Sequence, residues 1–249
     1  MKAYVIIFLS FFLSESLFAQ DVDFASIQYG IGFSNARNRE PYTTAIIKTN
    51  PVVGRHVQGN IGYRIANVQI SIGLSYLTTG YERDLSSSDA ASLGLRQGPL
   101  YEYFTHLTLP FSIGYRFRFG EKLAVVPAVG VELSYNLARQ QHTNDSTSNQ
   151  KGEEFRKNYS SSNFFASAQI GIEYRFSRKL SLVAGPEAIY TITDIVHKRG
   201  NATYYPDENN YAYLFNAGIK WDFATRKTQK GNKKSLMSTE QTEQKKTKQ

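Results

Sequence analysis

The chain has 249 residues, no cysteine and a formal net charge of +8, and its last stretch, 224–249, accounts for most of that charge with eight Lys/Arg against two Glu. Without cysteine there is no disulfide framework, no thiolate metal site and no thiol for lipid attachment. The small remaining charge of the body excludes the organised basic surface that nucleic-acid binding requires, so nucleic acid is not an expected partner.

The chain opens on "MKAYVIIFLSFFLSESLFAQ". Lys2 supplies a positive start, residues 3–13 an apolar core, and Leu17-Phe18-Ala19 a small-residue cleavage site, which together read as a secretory signal peptide over 1–19. The apolar core is shorter than the ~20 residues of a spanning helix. No later run of 18 apolar residues follows, so helical membrane spans are not expected. An exported chain rich in Tyr, Phe and Gly then leaves two classes, a soluble periplasmic β-protein or an outer-membrane barrel.

Eight segments of two-residue alternation follow, at about 24–33, 54–65, 68–80, 103–119, 123–138, 163–176, 180–195 and 211–223. Successive side chains on a strand face opposite sides of the sheet. Over 103–119 the odd positions are apolar or aromatic apart from Thr105, while the even positions include His106, Ser112, Arg116 and Arg118. The phrase "IGYRFRFGEKLAVV" (113–126) recurs as "IEYRFSRKLSLV" (172–183) and more loosely as "IGYRIANVQISI" (61–72). Each copy is a strand end, a tight turn and a strand start. Loops at Gly120-Glu121-Lys122 and Ser177-Arg178-Lys179 pair Phe119 with Leu123 and Phe176 with Leu180, keeping the apolar face on one side. The two-residue loop Ala66-Asn67 pairs Ile65 with Val68 and switches the parity, as its length demands.

Longer polar connections fill about 34–53, 81–102, 139–162 and 196–210, and residues 42–48 could extend the first strand or its neighbour. Short turns at one end, long loops at the other and an even strand count form the pattern of an all-β, eight-stranded antiparallel up-and-down transmembrane barrel over 20–223. Its apolar face carries rings at both strand ends. Tyr63, Tyr115, Phe117, Phe119, Tyr174, Phe176, Trp221 and Phe223 lie at the turn end; Tyr76, Tyr81, Tyr103, Tyr135, Phe164, Tyr190 and Tyr213 lie at the loop end. Two aromatic bands are what a membrane barrel needs at its interfaces, and a soluble barrel has no use for them. The expected location is the bacterial outer membrane, with both mature termini periplasmic and membrane lipid as surroundings.

"LTLPFSIGYRF" (107–117), "KLAVVPAVGVELSYNL", "KLSLVAGPEAIYTITDI" and the closing "FNAGIKWDF" resemble strands of the PorT-like outer-membrane β-barrel domain family. That resemblance covers about 24–223 and implies the barrel architecture; the family includes a protein of a secretion and gliding apparatus. The basic tail beyond Phe223 departs from the usual ending at the last strand.

By parity the inward positions hold Arg64, Arg116, Arg118, Glu132, Glu173, Arg175, Glu187, Lys220 and Asp222. Eight strands enclose a lumen only wide enough for side chains to fill. Buried charges there must pair, so these residues read as a charge network plugging the lumen, with a narrow ion or solute path as the alternative. A third reading is an enzyme at the outer rim, for which His56 and His106 face the lumen near the mouth, though no acid is placed beside either by spacing. His142 and His197 fall in the outer half or loops. No spaced His/Asp/Glu set suggests a metal, and no glycine-rich loop precedes a helix, so no cofactor is expected and no catalytic residue is assigned. The polar loop 138–163 is either a solvated loop or a recognition surface. The tail 224–249 reads as disordered, solvated or touching anionic lipid or an acidic partner. The function expected is therefore a non-enzymatic scaffold, presenting loops and tail to envelope or secretion partners.

Overall fold

Alternation of apolar and polar side chains over long extended runs produces strands, and among the described residues these are the only regular elements. The computed structural model describes residues 22–39, 46–85, 97–143, 147–151, 162–193 and 207–223. Residues 1–21, which include the predicted signal peptide, residues 40–45, 86–96, 144–146, 152–161 and 194–206, His197 among them, and the tail 224–249 lie outside the described residues. Eight long strands run β1 Phe24–Arg39, β2 Asn50–Ile65, β3 Val68–Leu85, β4 Gly98–Tyr115, β5 Leu123–His142, β6 Ser162–Arg175, β7 Leu180–Thr191 and β8 Asp207–Asp222. Each pairs antiparallel with the next, and β8 pairs with β1 from Phe24↔Asp222 to Arg39↔Asp207. That last pairing closes the sheet into a barrel and removes both edges.

The strands reach further toward the loop end than the alternation alone indicates. β1 runs on to Arg39, and a short strand at Ile46–Ile47 pairs back onto Asn38 and Arg39. β5 continues to His142 and is joined there by Thr147–Lys151, so part of the 138–163 segment is a hairpin rather than a loop. Polar side chains hid these extensions, because the apolar alternation ends where the strand leaves the membrane zone while the backbone ladder does not.

All three tight turns have the predicted pairing. Ile65 opposes Val68 and Phe119 opposes Leu123. Phe176 donates its N–H to the Leu180 carbonyl. Gly120 has φ +72, the left-handed conformation that only glycine adopts without cost. Ala66 sits in the same region at φ 55 with a Cβ to accommodate. At the third turn Ser177 Oγ accepts the N–H groups of Lys179 and Leu180, doing with a side chain what glycine does with backbone freedom.

The two faces of the sheet are inverted relative to a water-soluble protein. Ile27, Tyr29, Ile31 and Phe33 of β1 stand exposed in a row, and the same holds for Phe111, Ile113, Val129, Val131, Ile170 and Ile172. Buried polar side chains outnumber buried apolar ones among the described residues. A continuous exposed apolar belt of this size is stable only against lipid or a partner. Inside, space is created by glycine: a Cβ at Gly30 would collide with the Asn216 side chain, and one at Gly62 with the Phe24 ring.

One residue of the loop-end aromatic set is turned the other way. Tyr81 is buried and faces the lumen, in keeping with the inward odd positions of β3 (Gln69, Ser75, Leu77, Thr79). Replacing Ala66 by Asn, which tolerates the left-handed region, should raise stability by about 1 kcal/mol. The check is the urea midpoint of the refolded protein; an unchanged or lowered midpoint contradicts the turn geometry.

Candidate functional site

Among the described residues, chemistry-bearing side chains converge in the lumen, and its turn end is the most highly charged. β6 and β8 flank β7 on its two sides, so their inward carboxylates and cations face β2, β3 and β4 across the barrel. Glu173 accepts from Arg116 Nε at 2.8 Å and from Lys220 Nζ; Lys220 Nζ also donates to Gln69 Oε1 at 2.8 Å. Asp222 pairs with Arg64 at 2.6 Å and lies 3.8 Å from Arg175. Four cations thus share two strand carboxylates. The Phe24 ring offsets part of the excess, standing 4.1 Å from Lys220 Nζ and 4.8 Å from the Arg64 guanidinium. Asp23 adds a further oxygen, which accepts the Arg64 backbone N–H at 2.6 Å.

Midway along the barrel the groups are polar and fewer are charged. His56 Nδ1 lies 3.0 Å from Glu187 Oε2, which also accepts from Asn216 Nδ2 at 2.7 Å. Thr108 Oγ1 donates to Glu132 at 2.8 Å and is in hydrogen-bond contact with Ser75 Oγ. Near the mouth His106 is held between Asn136 and Thr79 and edges onto Phe165. Glu102 accepts from Arg139, Gln141 and Tyr81. Between these polar sets Leu77, Phe165, Ile189, Ala212 and Leu214 pack together, all buried.

Toward the turn end the lumen holds a cavity of about 50 Å³, touching Gln69, Gln169, Glu173 and Lys220. A water centre needs about 10–15 Å³ of such space, so the cavity holds a few waters.

Of the inward residues predicted from parity, Arg64, Arg116, Glu173, Arg175, Lys220 and Asp222 come together at the turn end. Glu132 and Glu187 lie in the middle, apart from that cluster. Arg118 is a correction: it is exposed rather than inside the lumen. The ladder between β3 and β4 stops at Val68↔Tyr115, so Phe117–Phe119 is flanked by β5 alone and projects past the rim. The eight turn-end aromatics all stand on the outer surface, each at least 40 % exposed. His56, for which spacing offered no acid, meets Glu187 through barrel closure, across β1 and β8.

Glu102 and Arg139 escaped sequence reading. An extra residue in β5, between Ala138 opposite Thr105 and Asn136 opposite His106, shifts the register. Beyond it, odd-numbered Arg139 turns inward to reach Glu102. Nothing in the composition around Leu137 announces the bulge.

Glu173→Gln would leave Lys220 and Arg116 buried without their countercharge and should cost about 3–5 kcal/mol. Arg118→Gln, outside the lumen, should stay within about 0.5 kcal/mol of the parent. Equilibrium unfolding in urea separates the two; similar effects from both would contradict the placement of Arg118.

Among curated proteins none is significantly similar in sequence. Among solved structures, Neisserial surface protein A is 16% identical, with a TM-score of 0.43, over 80% of this chain and 97% of its own. OprG from Pseudomonas aeruginosa is 11% identical, with a TM-score of 0.47, over 82% and 98%. A major outer membrane protein from Thermus thermophilus is 12% identical, with a TM-score of 0.45, over 80% and 99%. The model of the outer membrane protein beta-barrel domain matches residues 6–223, nearly the whole chain before the basic tail. The match is to that broad family and does not single out the PorT-like group. The chain folds as a closed eight-stranded barrel and belongs to the outer membrane protein beta-barrel domain family.

Proposed function

We propose that this protein is a non-conducting, non-enzymatic scaffold of the outer membrane, whose loop end and basic tail engage envelope or secretion partners. The observation that carries the reading is the filled lumen. Ion pairs span its turn end, and the Leu77–Phe165–Ile189–Ala212–Leu214 cluster blocks its outer half. A permeation path would have to displace Glu173 from two cations and open a packed apolar cluster, at a cost of several kcal/mol.

The arrangement of the histidines favours structure over catalysis. His56 and His106 are both almost fully buried; His56 Nδ1 is engaged by Glu187 and both His106 nitrogens by Asn136 and Thr79, while His56 Nε2 is buried without a hydrogen-bond partner. Burial beneath packed side chains leaves neither ring within reach of a substrate at the rim.

On this reading the long strand extensions face outward from the cell, and residues 1–19 are a removed signal. The paired β5 end and Thr147–Lys151 then form a rigid platform for recognition, and residues 224–249 form a periplasmic basic arm. The resemblance to PorT-like barrels supports a link to secretion or envelope assembly, with the tail as the feature that sets this chain apart.

Planar-bilayer recording on the refolded protein should show no unit conductances; stable openings would refute the plugged scaffold. Orientation is testable because the chain has no native cysteine. Ser148→Cys should label with a membrane-impermeant maleimide on intact cells and Lys122→Cys should not, and the reverse pattern would invert the topology. Affinity capture with and without residues 224–249 should lose specific envelope partners on truncation, and unchanged capture would remove the tail from the proposal.

A further inference from the structure

The outward face of the barrel is apolar from one row of rings to the other, with one interruption. Arg55 on β2 points outward and is exposed, with Val53 and Val57 on either side of it along the same face. It is the one charge among the outward positions of the described strands from the turn-end rings up to the level of Tyr103, and it stands one outward step beyond Tyr76, which opposes Val57. Going from Tyr63 to Arg55 covers about 26 Å of strand at ~3.3 Å per residue. At a tilt of about 40° that is about 20 Å of height, which places Arg55 near the far edge of an apolar band ~25 Å tall.

Arg55 does not stand alone at that level. It is in register with Thr78 of β3, which is in register with Thr105 of β4. Neighbouring strands lie about 4.8 Å apart, so a guanidinium and two hydroxyls form a polar row about 10 Å long across three strands. On the neighbouring β1 the same level holds Ile31, so the row stops there. Tyr103 stands one outward position further up β4 from Thr105. Among the described residues no hydrogen bond or ion pair occupies the Arg55 guanidinium or the Thr78 and Thr105 hydroxyls. The nearest outward carboxylate along β3 is Glu82, four residues and about 13 Å further out.

An arginine on the lipid face is costly at the bilayer centre and nearly free at the interface, where anionic headgroups meet it. The row offers what a phosphate takes: a planar, permanently charged fork and hydroxyl donors on a rigid sheet. We propose that Arg55, Thr78 and Thr105, with Tyr103 beside them, bind the phosphate of an anionic lipid headgroup at the loop-end interface. The leaflet concerned is the outer one, a point that rests on the orientation proposed above. The occupant is a membrane lipid rather than a free anion, because Val53, Val57 and Ile31 border the row with apolar surface suited to acyl chains.

Native mass spectrometry of the refolded full chain in detergent tests this with three probes: diphosphoryl lipid A, the same lipid with its phosphates removed, and inorganic phosphate as competitor. The parent protein should bind the phosphorylated lipid about fivefold more tightly than the dephosphorylated one, corresponding to about 1 kcal/mol for one interfacial cation. Arg55→Gln should abolish that preference and Arg55→Lys should restore most of it. Equal binding of the two lipids by the parent protein would overturn the proposal, and that comparison stands even if the glutamine variant fails to fold. An Arg55→Gln protein that keeps the preference would overturn it as well. Displacement of the lipid by an equal concentration of inorganic phosphate would replace the lipid with a free anion and refute the assignment. Micelles have no leaflets, so this result is independent of topology: an inverted maleimide pattern would refute the outer-leaflet placement and leave the headgroup site intact.

Discussion

Everything in this molecule depends on one constraint, the closure of an eight-stranded sheet around a space no wider than two facing side chains. Closure between β1 and β8 satisfies the last backbone edge, which a lipid environment requires because no water is there to do so. It also forces inward side chains from opposite strands into contact. The interior is therefore filled by matched volumes, and each large inward residue needs a small one nearby. Gly30 makes room for Asn216, and Gly62 makes room for Phe24.

The same narrowness decides the electrostatics. At the turn end Lys220 and Arg116 converge on Glu173, and Arg64 and Arg175 on Asp222. Charges so confined are held by partners or not held at all. Phe24 is the least obvious member of the set: an aromatic ring inside the lumen, placed where two cations exceed the available carboxylates. An interior of this kind gives the barrel a rigid, unique packing. It leaves the loop end, the tail and the lipid-facing belt as the parts for which interaction is proposed.

The belt is not featureless. Apolar side chains suffice to hold a barrel in a membrane, so the Arg55–Thr78–Thr105 row is a departure that the requirement for membrane residence does not explain. Its height on the barrel and its composition connect fold to surroundings through headgroup chemistry, while the lumen connects fold to stability.

Much of the architecture was legible in the residues themselves. Period-two alternation and three short turns determined the barrel class, the pairing at Ile65/Val68, Phe119/Leu123 and Phe176/Leu180, and which face is apolar, because these are local consequences of backbone geometry. Strand ends were less legible, since β1 and β5 continue where hydrophobic alternation has already stopped. Three features belong to the tertiary structure alone. The His56–Glu187 contact joins residues 131 positions apart, and only barrel closure brings them together. The bulge in β5 reverses parity and aims Arg139 at Glu102, and local composition does not record a register shift that depends on the neighbouring strand. Arg118 follows the alternation of an inward residue and yet lies outside, because a side chain can face a lumen only where strands on both sides still enclose one.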